Sequence, residues 1–205
     1  MADQLDVPLL TAWLGRAAAA IEAQQGYLSD LDAAIGDGDH GANLARGFKA
    51  VMAKLGTSAD PAALFRTVGM TLIGTVGGAS GPLYGTLFVE MAKAAAGRAT
   101  LDAAGWHTAL AAGVAGVVAR GKAAPGDKTM IDALTPAVAA LEAAASLPEA
   151  LVRSAAAARE GAEATAPLVA RKGRASYLGE RAIGHVDPGA TSSAMLLAAL
   201  AEAAG

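Results

Sequence analysis

The chain has 205 residues, 54% of them hydrophobic, which is enough to bury the core of one domain spanning residues 1–205. Its formal net charge is −3 with acidic and basic residues interspersed, so the sequence gives no electrostatic basis for binding nucleic acid or an anionic membrane. The absence of cysteine excludes disulfides and thiolate metal sites, and residues 1–7 lack the basic residues of a secretory signal, which predicts a soluble cytoplasmic protein.

Apolar residues recur at helical spacing along the chain and predict an all-α fold of about eight antiparallel helices. Alanine dominates the apolar set, which favours closely packed helices over strands. Asp6 with Pro8 and Asp60 with Pro61 are typical helix starts, and Thr100 is predicted to cap a long helix that ends at Gly121. The remaining helices are predicted over residues 27–34, 44–55, 82–96, 130–145, 148–169 and 191–204.

A first candidate site is the acidic loop that separates two predicted helices. Asp32, Asp37 and Asp39 place three carboxylates close together in glycine-rich sequence, where their repulsion is costly unless a hard divalent cation lies between them. His40 follows and faces whatever the cation holds. Ordinary Asx-turns and helix caps remain the alternative interpretation. An EF-hand is excluded, because the twelfth position counted from Asp37 is Phe48 rather than an acidic residue.

A second candidate site is the loop over residues 77–82, with the sequence Gly-Gly-Ala-Ser-Gly-Pro. Its backbone N–H groups and the Ser80 hydroxyl precede a predicted helix, which is a favourable arrangement for phosphate oxygens. Close packing of two helices explains the small residues equally well. No strand precedes this loop, which argues against a Rossmann or Walker-type loop, and residues 126–129 miss the Walker spacing by one residue.

The segment over residues 171–189 is the most highly charged of the predicted loops. It contains Arg171, Lys172, Arg174, Arg181, His185 and Asp187. Solvated surface charge is the simplest interpretation of Arg171 and Lys172, whereas Arg181 and Asp187 lie in turn-rich sequence close to a new helix. His107, beside Trp106 on a helix, is interpreted as a packing residue. From the residues alone, the chemistry indicated is magnesium and phosphate binding, with no catalytic nucleophile or base assigned.

Taken in order, the loop sequences resemble one family, the nucleotide-binding L subunit of dihydroxyacetone kinase, over nearly the whole chain. The matching segments are residues 35–41, 69–72 with 76–82, 120–122 with 125–130, and 171–191. The resemblance implies a helical barrel with the nucleotide site at one end, and two Mg²⁺ ions held by Asp32, Asp37 and Asp39 that bridge the phosphates of ADP or ATP. It implies nucleotide contacts at His40, Asn43, Gly78, Ala79, Ser80, Gly121, Met130, Arg181, Asp187 and Gly189.

The resemblance also implies a reaction and its partners. A phosphohistidine donor protein rephosphorylates the bound nucleotide, and a separate kinase subunit holds dihydroxyacetone. The unfused unit suits this phosphotransferase-system form, because ATP-dependent enzymes commonly join it to a larger ketose-binding domain. Three alternatives stay open: a subunit of an ATP-dependent ketose or tetrose kinase, a nucleotide-sensing regulator of a transcription factor, and a helical binding module with only a structural calcium or magnesium ion.

Overall fold

The computed structural model describes residues 3–142 and 144–205, so residues 1, 2 and 143 of the predicted domain lie outside the description. The described residues form nine α-helices and one 3-10 helix and contain no β-strand, which confirms the all-α prediction. The α-helices are α1 Val7–Ala23, α2 Gln25–Ile35, α3 His40–Lys54, α4 Pro61–Thr75, α5 Ser80–Ala94, α6 Ala103–Gly121, α7 Met130–Leu141, α8 Leu147–Glu163 and α9 Pro188–Ala204. None of these helices has the length and apolar character needed to cross a membrane.

The helix starts are set mainly by aspartate caps. Asp6 and Asp60 cap α1 and α4 as predicted, each accepting a backbone N–H three residues later. The prediction for Thr100 is wrong, because α6 is capped by Asp102, whose Oδ1 accepts the N–H of Gly105 at 2.7 Å. Thr100 instead donates to the side chain of Gln4, next to the backbone pairing of Leu5 with Leu101, and this pairing holds it outside the helix.

The last third of the chain differs from the predicted boundaries. Helix α8 ends at Glu163 rather than near residue 169, and α7 ends at Leu141, before position 143. A 3-10 helix, Arg174–Ala182, lies where a loop was predicted, and we call it the 3-10 segment. Helix α9 begins at Pro188, three residues early, because Asp187 accepts the N–H of Ala190 and proline suits the first helical position.

The helices contact one another in a closed order that runs α1, α3, α4, α5, α6, α7, α8, α9 and back to α1. This is the order of contacts that a barrel of eight helices requires. In the core, Trp13 of α1 lies against the rings of Phe65, Phe88 and Trp106, with the Trp13 and Trp106 centroids 5.5 Å apart. The Trp13 indole N–H donates to the carbonyl of Leu196 at 2.8 Å, which ties α1 to α9.

Candidate functional site

Helices α3, α5, α7 and α9, which alternate around the ring, all begin at one cavity of about 400 Å³. The cavity is lined at these helix starts by Asp39 and His40, Ala79 and Ser80, Thr129 and Met130, and Asp187 and Pro188. The first N–H groups of a helix and its dipole both favour an anion at this end. Four helix starts around one cavity therefore provide an environment suited to several negatively charged oxygens.

The acidic loop between α2 and α3 forms one wall of the cavity. Asp32, Asp37 and Asp39 each place a ligand atom within 4.8 Å of the others, the spacing of a group that could hold a metal ion. Oδ2 of Asp32 also accepts the N–H groups of Asp39 and His40, at 2.9 and 3.2 Å. Asp32 therefore accepts hydrogen bonds from the start of α3 as well as belonging to the carboxylate cluster.

The charge of this cluster is only partly compensated. Burial raises the pKa of Asp32, and the negative charges of Asp37 and Asp39 raise it further against the lowering effect of its backbone hydrogen bonds. Among the described residues, the cluster forms one ion pair, between Arg174 and Oδ2 of Asp37 at 3.0 Å. Carboxylate oxygens at this spacing are the ligands that hard divalent cations prefer, so the donor set fits Mg²⁺.

The small residues of the loop between α4 and α5 have different surroundings at different positions. Gly78 has a φ of +64°, and no atom lies within 4 Å of the place that a Cβ would occupy, so it shapes a turn at the open cavity. A Cβ on Gly81 would clash with the carbonyl oxygen of Val76, so this glycine allows close packing. Ser80 lies inside the first turn of α5 rather than before it, and no side chain caps this helix.

A buried polar network lies behind the cavity and was missed by the sequence analysis. His40 is 3.1 Å from the Ser80 hydroxyl through Nδ1 and 2.9 Å from the Ser192 hydroxyl through Nε2. The hydroxyl of Tyr84 lies 2.7 Å from that of Ser192 and 2.9 Å from that of Ser193. Burial lowers the pKa of His40 to about 4. The sequence signal is the serine pair in the otherwise apolar helix α9.

Part of the cavity lining is apolar. It is formed by Leu83, Val117, Gly121, Met130 and Ile131, contributed by α5, α6 and α7. A Cβ on Gly121 would lie 3.3 Å from the side chain of Leu83, so glycine here keeps the wall open. A cavity that has both apolar lining and carboxylates beside helix starts suits an amphipathic ligand.

Lys128 joins the loop before α7 to the chain that leads into α9. The residue is 1% exposed, and its ammonium group donates to the carbonyls of Thr165, at 2.8 Å, and His185. Burial lowers the pKa of Lys128 and raises that of Asp187 to about 7, and each charge partly offsets the shift of the other. The Asp187 backbone N–H donates to the Thr165 hydroxyl at 2.9 Å, which completes the connection.

The sequence profile of the DAK2 domain matches residues 34–202. The chain belongs to the DAK2 domain family. The ADP-binding subunit DhaL of the PEP-dependent dihydroxyacetone kinase of Escherichia coli is 46% identical to it over 198 residues, covering 94% of each chain. The corresponding subunit of the PTS-dependent enzyme of Lactococcus lactis is 43% identical over 97% of this chain and 98% of its own.

A solved structure shares the fold of this DAK2 domain. The dihydroxyacetone kinase of C. freundii, in complex with AMP-PNP and Mg²⁺, matches with a TM-score of 0.76 and 31% identity. The match covers 97% of this chain and 34% of that kinase, so the DAK2 domain described here spans about one third of its length.

Two of the residues predicted as ligand contacts do not line the cavity of this DAK2 domain. Asn43 is buried beside the loop over residues 77–82, which we call the serine loop. A Cβ at Gly77 would lie 3.1 Å from Oδ1 of Asn43, and this oxygen accepts a hydrogen bond from Arg46. Arg181 is exposed, and its Nε lies 3.5 Å from the carbonyl of Leu178. The other eleven predicted site residues line the cavity, together with Arg120, Lys128, Lys172 and Arg174, none of which was assigned to the site from the sequence.

Proposed function

We propose that this DAK2 domain is the nucleotide-binding subunit of a dihydroxyacetone kinase. The observation that supports this most directly is the meeting of four helix starts and three carboxylates at one cavity with an apolar wall. Helix starts favour phosphate oxygens, whereas carboxylates repel them unless cations lie between the two. A nucleotide bound together with divalent cations would suit both the helix starts and the carboxylates, and its base would suit the apolar part of the lining.

In this proposal the carboxylates of Asp32, Asp37 and Asp39 would hold two Mg²⁺ ions. The bound metal would supply neutralisation of phosphate charge for phosphoryl transfer. Gly78, Ala79 and the Ser80 hydroxyl bind phosphate oxygens at the uncapped start of α5. His40, which is neutral at physiological pH because burial lowers its pKa to about 4, positions the Ser80 hydroxyl.

The remaining predicted contacts enclose the nucleotide. Gly121 and Met130 bind the base within the apolar wall, and residues 187–189 close the cavity from the start of α9. Asn43 supports the serine loop from below through its contact with Gly77. Arg181 is exposed on the 3-10 segment, so its contact with the nucleotide requires that segment to move.

The phosphoryl donor in this proposal is a phosphohistidine protein, and the acceptor is dihydroxyacetone held on a partner subunit. The relatives named for PEP- and PTS-dependent kinases match this chain over nearly their whole lengths, which supports a separate subunit of that type. ADP then stays bound as a cofactor throughout turnover. The single domain over residues 1–205 and the cytoplasmic location remain predictions from the sequence.

The test is a labelled-nucleotide experiment on the full chain with purified partner subunits. Mass spectrometry of nucleotide released from freshly desalted protein should identify ADP, because metal-bridged phosphates bind tightly and each tenfold in affinity needs about 1.4 kcal/mol. During turnover with a phosphohistidine donor, the labelled nucleotide should remain on the protein.

Other outcomes identify the alternatives. Rapid exchange of bound ADP for labelled ATP, with one ATP consumed per ketose, would overturn this proposal in favour of an ATP-dependent kinase subunit. Binding to a transcription factor without phosphoryl transfer to any ketose-binding subunit would indicate a nucleotide-sensing regulator. Failure to retain any nucleotide in the presence of Mg²⁺ would indicate a helical module with only a structural cation.

A further inference from the structure

The ion pair between Arg174 and Asp37 joins two segments that are distant in sequence. Arg174 is the first residue of the 3-10 segment, and its guanidinium lies 3.0 Å from Oδ2 of Asp37 in the acidic loop. Both side chains reach solvent, with exposed fractions of 67% and 33%. Gly173, with a φ of +65°, turns the chain directly before the arginine. The pair therefore holds the start of the 3-10 segment at the rim of the cavity.

The rest of the 3-10 segment is attached through a small apolar cluster that is separate from the main core. The cluster contains Ile35 of α2, Ala170, Ala175 and Ala182, with Leu178 packed against it. Among the residues that the structure describes, Ile35 is its only member outside residues 170–182, and it lies two positions before Asp37. Within this described part, a few apolar contacts and one ion pair hold the 3-10 segment to the end of α2 and the acidic loop.

We infer that Arg174 is a built-in counter-ion of the acidic cluster, which competes with a divalent cation for Asp37 and couples the cation to the position of the 3-10 segment. The inference rests on the cation site of the proposed function. A guanidinium and a divalent cation are both attracted to the Asp37 carboxylate, yet they repel each other. Arginine stays protonated at all accessible pH values, so its charge persists, and either a bound cation or added salt weakens its attraction to Asp37.

The competition predicts a cation affinity that rises when the arginine is removed. Partly exposed ion pairs are weak, so substituting Arg174 by the uncharged Met should tighten cation binding by about twofold to fivefold. Arg171→Met is the matched control. It removes the same charge from the same part of the chain, and Arg171 is exposed and forms no ion pair with the acidic cluster. The difference between the two variants isolates the contact with Asp37 from the general change in charge.

The experiment titrates Mn²⁺ alone into the nucleotide-free full chain and follows free Mn²⁺ by electron paramagnetic resonance at low ionic strength. We expect Arg174→Met to bind Mn²⁺ about twofold to fivefold more tightly than Arg171→Met. The difference in affinity should shrink as salt is added, because salt screens the Arg174–Asp37 ion pair that Arg171→Met retains. Equal affinities of the two variants would overturn the inference while leaving the cation site intact. Absence of Mn²⁺ binding to the unsubstituted chain would overturn both.

A second readout follows the 3-10 segment itself. Hydrogen–deuterium exchange of the amides over residues 174–182 should become faster in the unsubstituted chain when Mg²⁺ is added without nucleotide, because the arginine loses its partner. In Arg174→Met these amides should exchange fast with or without Mg²⁺. If the exchange rates of these amides in the unsubstituted chain do not change when Mg²⁺ is added, at concentrations where Mn²⁺ binding is measured, the coupling would be contradicted.

Discussion

Nδ1 of His40, the first residue of α3, lies 3.1 Å from the hydroxyl oxygen of Ser80, the first residue of α5. This contact joins the acidic loop to the serine loop, which are the two walls that meet at the proposed phosphates. On its other side, His40 reaches Ser192 at 2.9 Å. The imidazole is therefore held between two hydroxyl groups, and its orientation depends on a residue that does not line the cavity.

Substitution of Ser192 tests this orientation. Ser192→Ala leaves Nε2 of the buried imidazole without its hydroxyl partner, a loss expected to lower the free energy of unfolding by about 1–3 kcal/mol and to weaken nucleotide binding. Ser193→Ala is the control, because Ser193 contacts Tyr84 and Gly189 but not His40. Calorimetric titration with nucleotide and Mg²⁺ compares the two. Equal nucleotide affinities in both variants would show that the network does not position His40.

Substitutions of the three aspartates should have different effects, because the three carboxylates have different structural roles. Asp37→Ala and Asp39→Ala are expected to abolish Mg²⁺-dependent nucleotide binding with little loss of stability in the metal-free chain, since neither carboxylate caps a helix and the Arg174–Asp37 pair is partly exposed. Asp32→Ala should also lower the free energy of unfolding by about 1 kcal/mol, because the N–H groups of Asp39 and His40 lose their acceptor. Urea unfolding in chelator measures the stability. Normal nucleotide affinity in Asp37→Ala would remove the metal assignment.

Gly78→Val is expected to weaken nucleotide binding at least tenfold. Because Gly78 has a φ of +64°, a side chain there should lower the free energy of unfolding by about 1–2 kcal/mol. The added groups would project into the open space beside the cavity. Gly97→Val is the matched control, because Gly97 has a φ of +78°, no atom within 4 Å of a Cβ and no place in the cavity lining. Both variants should lose similar stability by urea unfolding, and equal nucleotide affinities would contradict the phosphate role of the loop.

Removal of the Lys128 ammonium should destabilise the chain. Lys128→Met leaves the carbonyls of Thr165 and His185 without a charged donor, at an expected cost of about 2–4 kcal/mol in the free energy of unfolding. Lys122→Met is the control, since Lys122 also has a positive φ, of 50° against 63° for Lys128, but its side chain is exposed. Lys122→Met should lower the free energy of unfolding by no more than about 0.5 kcal/mol, as measured by urea unfolding. Equal losses would show that Lys128 is not an anchor.

Asp187 should make stability depend on pH. Its folded pKa of about 7 lies above the ordinary value of 3.8, so the folded state binds more protons than the unfolded state between these values. The contribution of Asp187 to the free energy of unfolding of the ligand-free chain should therefore fall as pH rises from about 4 to about 7, against the opposite contribution of His40, whose pKa is lowered to about 4. Asp187→Asn keeps an N-cap oxygen and should remove the Asp187 contribution, so its stability should rise more with pH than that of the unsubstituted chain. An unchanged pH dependence of urea unfolding in Asp187→Asn would contradict the burial of this carboxylate.

The helices and their core faces were determined by the sequence itself. The buried face of α1 follows the helical spacing of apolar residues and is formed by Leu10, Trp13, Leu14, Ala17 and Ile21. Caps at Asp6 and Asp60 were predictable because cap hydrogen bonds join residues three positions apart. The cap at Thr100 was wrong because a distant backbone pairing, Leu5 with Leu101, decides where that helix begins.

The candidate site likewise has features that the sequence predicts and features that only the tertiary structure shows. The three aspartates and the serine loop were visible in the sequence, because repulsion between nearby carboxylates and turns at glycine are local effects. Only the tertiary structure decided which residues support them. Ser192 meets His40 and Lys128 meets Thr165 across long stretches of chain, and Arg174 pairs with Asp37 only because the 3-10 segment packs on Ile35. Such contacts depend on the closed order of the helices, which no local pattern encodes.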